Sequence, residues 1–166
     1  MGPVLRSIAR FDRVLGKAEA SVLIALVVAM TAIVLAQVIY RYLLARPLYW
    51  SEELARYLFV WISILGAAVG VQRRGHFGMD FFFKMIGAGK RRFLSFVIYL
   101  LMGIVIAILF VQGIFLVTKT VAQQSPAMEI SMGWAYACLP VGAGLMGIHL
   151  LVIFLKEAIE KPGENA

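Results

Sequence analysis

The stretch FLSFVIYLLMGIVIAILFVQGIFLVT, residues 93–118, contains 26 residues and no Asp, Glu, Lys or Arg. A bilayer core of about 30 Å is crossed by about 20 helical residues that rise about 1.5 Å each. The whole chain is also strongly apolar, since 62% of its 166 residues are hydrophobic and only 15% are charged. Soluble domains are closer to half apolar and a quarter charged. The sequence therefore predicts an integral membrane protein.

Three more uncharged runs, at residues 20–40, 57–72 and 130–155, flank this stretch. The run at 57–72 has only 16 residues, so its helix must begin near Ser51, with nearby charges in the headgroup layer. We therefore expect an all-α, integral membrane four-helix bundle that forms a single domain over residues 1–166. The expected spans are approximately 20–41, 52–72, 93–117 and 133–155.

The net charge of +7 is distributed asymmetrically along the chain. Twelve of the 16 Lys and Arg residues precede the first span, lie between the second and third, or follow the fourth. Short loops rich in Lys and Arg stay in the cytoplasm, so both termini are predicted to be cytoplasmic. This distribution indicates membrane orientation and contact with anionic lipids, and it disfavours a nucleic-acid partner.

Two segments outside the spans have the pattern of short interfacial helices. Residues 1–19 place apolar side chains at helical spacing between basic ones, and residues 77–85 carry Phe77, Phe81 and Met85 four residues apart. On the external side, Ser125 and Pro126 have the pattern of a helix N-cap and first helical residue. Pro140 is expected to kink the fourth span.

The second span begins with the charged stretch LYWSEELARYLFVW, residues 48–61. Glu52 and Glu53 stand four and three residues before Arg56, in the favourable order for helical ion pairs. One interpretation is that these charges cap the helix and mark the membrane boundary. The other is that they dock a second protein, because charged residues at this depth usually have a partner. The residues themselves leave both interpretations open.

Residues that could catalyse a reaction or bind an ion are sparse within the spans. No nucleophile–base pair, phosphate loop or metal cluster is visible, so neither an enzyme nor a cofactor site is expected. No acidic or basic residue falls at mid-depth, so a complete transporter is not expected. His76 and His149 both fall near the cytoplasmic side, and an alternative is a redox anchor subunit that holds haem between them. Cys138 is expected to be a buried small residue. Gly66 and Gly70 form a GxxxG pattern, which favours packing inside the bundle over a seam for a partner.

The chain also resembles a known family through several short motifs. They are RY at 41–42, WSEELARYLFVW at 50–61, GAA at 66–68, RGHFGMD at 74–80, QSPA at 124–127 and LPVG at 139–142. Together these motifs are similar to the small membrane subunit of tripartite ATP-independent periplasmic (TRAP) transporters. The segment from Trp50 to Trp61 is the most specific of them.

This resemblance implies a bacterial inner-membrane protein that works with two partners. A periplasmic binding protein captures an organic acid, of the C4-dicarboxylate or sialic acid type, and a large membrane subunit moves it inward by a sodium-driven elevator motion. The small subunit would enlarge the fixed scaffold of the large one and also offer surface to the binding protein. The resemblance assigns partner binding to Trp50, Glu52, Glu53, Arg56 and Tyr57. It assigns lipid anchoring to Arg73, Arg74, Arg91 and Arg92.

Overall fold

A computed structural model describes residues 3–74 and 88–159, with side chains for 6–73 and 93–156. This part of the chain forms five α-helices: α1 (Pro3–Tyr42), α2 (Tyr49–Arg74), α3 (Ala88–Thr120), α4 (Met132–Tyr136) and α5 (Cys138–Ile159). Four segments are long and apolar enough to cross a membrane, namely α1, α2, α3 and the combination of α4 with α5. The predicted all-α, four-helix membrane fold is confirmed. The predicted interfacial helix at 77–85 lies outside the described residues.

The N-terminal segment is not a separate interfacial helix, because α1 runs without interruption for 40 residues. At about 1.5 Å per residue such a helix is about 60 Å long, twice the thickness of a bilayer core. No proline follows Pro3 within α1 to break it. The basic, amphipathic N-terminal half therefore continues the first membrane span along the same axis.

The last span is divided near Pro140, as the sequence predicted. Pro140 has no N–H to donate to the carbonyl of Tyr136, so the helix is interrupted at Ala137 and restarts at Cys138. The predicted start at Ser125 is wrong, because α4 begins only at Met132. Its N-cap is Ser131, whose hydroxyl accepts from the Gly133 N–H at 3.2 Å.

α2 and α5 form the centre of the bundle, since they pack against each other while α1 packs mainly on α2 and α3 packs mainly on α5. The outer helices consequently expose most of their apolar side chains, and the most apolar windows of α1 and α3 contain no buried residue. Cys138 is fully buried, as expected. The two exposed flanks are suited to lipid or to another membrane protein.

The small residues divide into two groups. A Cβ atom on Gly142 would collide with the Ile64 side chain, so this glycine allows α5 to approach α2 closely. A Cβ atom on Gly66 or Gly70 would meet nothing within 4 Å. The prediction that the GxxxG pattern packs inside the bundle is therefore wrong, because these two glycines face away from the neighbouring helices.

Candidate functional site

At the N-terminal end of α2, which is predicted to be external, Glu53 ties the helix to the loop that follows α3. Its side chain is 8% exposed, and its Oε2 accepts from the backbone N–H groups of Ala127 at 2.8 Å and Met128 at 3.1 Å. Its Oε1 accepts from the hydroxyl of Tyr57 one turn later, and that hydroxyl also lies 3.1 Å from Sδ of Met132. Glu53 and Tyr57 therefore hold the loop on the bundle.

The loop at residues 121–131, which is predicted to be external and is called the external loop below, is closed by its own backbone hydrogen bonds. The Ser125 N–H donates to the Ile130 carbonyl at 2.8 Å, and the Met132 N–H donates to the Gln123 carbonyl at 2.8 Å. Glu129 adopts a left-handed conformation with φ of 54°, which turns the chain back. A loop with these bonds presents a defined surface.

Glu52 and Arg56 make no hydrogen bond or ion pair to this loop among the described residues. The Glu52 carboxylate accepts from Gln37 at 3.2 Å and lies 3.8 Å from the Arg41 guanidinium, and both charged side chains are more than half exposed. Exposed pairs of this kind contribute little to stability. Arg56 is exposed, and no carboxylate oxygen in the described residues lies within 4.0 Å of its guanidinium.

The predicted pairing of Arg56 with Glu52 or Glu53 is therefore wrong. The reason is geometric, because Glu53 faces the bundle and its loop, Glu52 faces α1, and Arg56 faces outward. Arg56 instead lines a cleft of about 550 Å³ whose walls include Tyr57, Pro126 and Tyr136. The side chain of Trp50 is 42% exposed. The role of this stretch in partner binding stays a prediction, and the sequence did not indicate which of its side chains are internal and which are exposed.

At the opposite end, a buried charged cluster joins α1 to α5; it comprises Asp12, Glu19, His149 and Lys156. The His149 side chain is completely buried, and its Nδ1 lies 2.7 Å from Oδ1 of Asp12. Its Nε2 lies 3.0 and 3.1 Å from the two carboxylate oxygens of Glu19. The Lys156 ammonium lies 3.6 Å from the second oxygen of Asp12.

The cluster forms because its members are spaced by two helical turns on each helix. Asp12 and Glu19 are seven residues apart on α1, and His149 and Lys156 are seven apart on α5. Such pairs lie on one face of a helix, and the two helices alternate basic and acidic groups where they meet. α2 adds a neutral contact, because Gln72 donates from Nε2 to the Asp12 carbonyl at 2.5 Å.

Sequence reasoning missed this cluster, although matching heptad spacings of acids and bases near the predicted cytoplasmic ends could have revealed it. The cluster also affects the haem alternative. Both ring nitrogens of His149 are engaged by carboxylates, so neither is available as an axial ligand in this arrangement. The second predicted ligand, His76, lies outside the described residues. The haem alternative has no support.

The four arginines assigned to lipid lie at the ends of α2 and α3 that are predicted to be cytoplasmic. Arg73 is exposed, which is compatible with contact to headgroups. The side chains of Arg74, Arg91 and Arg92 lie outside the described set. Their role in lipid anchoring remains a prediction.

Comparison with known proteins places these features in a family. Residues 30–159 match the family model for the DctQ component of tripartite ATP-independent periplasmic transporters. The chain is 29% identical over 136 residues to the sialic acid TRAP transporter small permease protein SiaQ of Vibrio cholerae, covering 81% of this chain and 78% of that protein. It is 32% identical over 113 residues to the C4-dicarboxylate TRAP transporter small permease protein DctQ of Rhodobacter capsulatus, covering 64% and 48%.

Some relatives are much longer than this chain. The sialic acid TRAP transporter permease protein SiaT of Haemophilus influenzae is 34% identical over 121 residues, which is 73% of this chain but only 20% of SiaT. The chain therefore spans about a fifth of that relative and most of SiaQ. The family match covers all four membrane-spanning segments at least in part, including the cleft and His149. The protein is thus a multi-pass membrane protein that belongs to the DctQ component family of tripartite ATP-independent periplasmic transporters.

Proposed function

We propose that the chain is the non-catalytic scaffold of a sodium-coupled organic-acid importer in the bacterial inner membrane, with both termini in the cytoplasm. It would pack against a separate, larger elevator-type membrane subunit. A periplasmic binding protein would deliver the solute, of the C4-dicarboxylate or sialic acid type. Relatives whose names include sialic acid and C4-dicarboxylate support this class of substrate.

The observation that carries the scaffold role is the distribution of polar groups. The buried carboxylates of the described residues have hydrogen-bonding partners at the two ends of the bundle: neutral donors at Glu53, and His149 in the charged cluster. Between these ends the packed centre is apolar, with Leu65, Ala68 and Val69 buried on α2 and Ala143 and Met146 buried on α5. A permeation route needs polar groups at mid-depth, so this arrangement favours support of a neighbour's transport path.

The exposed flanks fit an elevator transporter. Moving one domain through a bilayer requires a fixed part that resists displacement, and long helices with apolar flanks anchored at both interfaces provide such resistance. α1 and α3 supply these flanks, because their most apolar windows are unburied within the chain. We expect one flank to contact the large subunit and the basic cytoplasmic ends, including Arg73, to contact anionic lipid.

We assign the docking surface to the outward members of the second-span motif. Trp50, Glu52 and Arg56 would contact the partner directly, whereas Glu53 and Tyr57 would act by holding the external loop in place. Arg56 is the strongest of these candidates, since its charge has no acidic partner among the described residues. An acidic side chain of the partner would neutralise it.

Uptake into proteoliposomes tests the scaffold role. The large subunit and this chain together should transport when the loaded binding protein and a sodium gradient are present, and the large subunit alone should transport much less. Full-rate transport by the large subunit alone would contradict the proposal. Solute flux through vesicles that hold only this chain would also contradict it.

Co-purification tests the docking surface. Arg56→Ala should reduce retention of the large subunit, while Lys161→Ala, which removes one cation near the other end of the chain, should retain it at the wild-type level. Glu53→Ala should also reduce retention, because the loop is released. If all three variants retained the large subunit equally, the charged motif would only cap the helix.

A further inference from the structure

The contact between α1 and α5 raises a question of proton count. His149 presents one ring nitrogen to Asp12 at 2.7 Å and the other to Glu19 at 3.0 Å. Each of these contacts is a hydrogen bond only if a proton lies between the nitrogen and the oxygen. A neutral imidazole has one N–H and an ionised carboxylate has none. A neutral imidazole between two ionised carboxylates therefore supplies one proton for two contacts, and one of the contacts would lack a hydrogen bond.

The charges around the imidazole favour an additional proton there. Asp12 and Glu19 are 6% and 5% exposed, and the Lys156 ammonium near Asp12 balances only one carboxylate. With a neutral imidazole the cluster would bury a net charge of −1, and with an imidazolium its net charge is zero. An uncompensated buried charge is strongly destabilising, particularly inside a membrane protein.

No other charged group in the described surroundings replaces this proton. α2 contributes only the neutral amide of Gln72, which donates to a backbone carbonyl of α1. α3 has no charged residue between Phe93 and Thr118, and α4 has none. On α1, Arg13 and Lys17 are exposed, and the Arg13 guanidinium donates to the Ala9 carbonyl.

We propose that the buried charged cluster is a proton-binding site in which His149 carries a proton on each ring nitrogen, and that this proton holds the N-terminal half of α1 against α5. Each N–H donates to one carboxylate, so a single imidazolium links Asp12 and Glu19 across two helical turns. Loss of the proton from Nε2 breaks its N–H bond, leaves the electron pair on nitrogen, and removes the one donor to Glu19 found among the described residues. The proton leaves to water past Asp12 and Lys156, the more exposed end of the cluster.

The two contacts become charge-assisted hydrogen bonds once each ring nitrogen carries a proton, and the unfolded chain lacks both of them. The doubly protonated ring therefore contributes to the packing of α1 against α5.

Nitrogen-15 NMR of imidazole-labelled protein in lipid nanodiscs tests the protonation state directly. The chain has only two histidines, so His76→Gln leaves one labelled ring, that of His149. We expect both ring nitrogens to carry hydrogen at neutral pH. A resonance of an unprotonated ring nitrogen at neutral pH would overturn the proposal.

A matched pair of proteins tests the consequence. The unfolding midpoint of the wild type should fall between neutral and alkaline pH, and that of Glu19→Gln should fall less. In the variant one neutral histidine N–H suffices for the single remaining carboxylate. Parallel pH dependences would overturn the role of the proton in holding α1. Both measurements use this chain alone, so they are independent of its proposed place in a transporter.

Discussion

Replacing His149 by leucine tests how much the buried charged cluster stabilises the bundle. The substitution introduces an apolar side chain of similar size and removes the partner of Glu19, which is 5% exposed and has no other partner among the described residues. Asp12 retains the Lys156 ammonium at 3.6 Å. Breaking a buried ion pair from one side costs about 3–5 kcal/mol. We expect a loss of that order in the free energy of unfolding, dominated by Glu19.

The double variant Glu19→Leu with His149→Leu provides the decisive comparison. Replacing both members of a buried pair by apolar residues is often close to neutral, so the double variant should recover at least about 2 kcal/mol relative to His149→Leu alone. Denaturant unfolding in detergent micelles, followed by tryptophan fluorescence, measures both values. Ser63→Ala, at an exposed site, is the control and should change stability by less than about 0.5 kcal/mol. A double variant as unstable as the sum of the single variants would refute the ion-pair reasoning.

Three further outcomes follow from the packing and the loop. Gly142→Ala should destabilise the bundle by about 1–3 kcal/mol because the new methyl group meets Ile64, whereas Gly70→Ala should not, and thermal unfolding distinguishes them. Ser131→Ala should cost about 1 kcal/mol through loss of the α4 N-cap, as measured by denaturant unfolding. Glu53→Gln should speed amide hydrogen exchange in the external loop, since a neutral side chain accepts more weakly from the two loop N–H groups; unchanged exchange would mean that the loop holds itself.

The charged stretch at residues 48–61 shows where sequence reasoning stopped. Spacing along one helix placed Glu52, Glu53 and Arg56 within reach of one another, in an order that favours ion pairs. The structure gives each a different environment, because Glu53 is engaged by a loop more than 70 residues away in sequence. Local spacing predicts only which groups are within reach, and the competing donors on that distant loop decide which bond forms.

The number of spans followed from hydropathy because a membrane helix satisfies its own backbone hydrogen bonds, so its length and apolar composition suffice to identify it. The family was recognised from motifs along the chain, and comparison confirmed it. The burial of His149 could not be obtained in this way. It depends on two helices that meet across 137 residues of sequence, where charges that are costly alone become stable only in each other's presence.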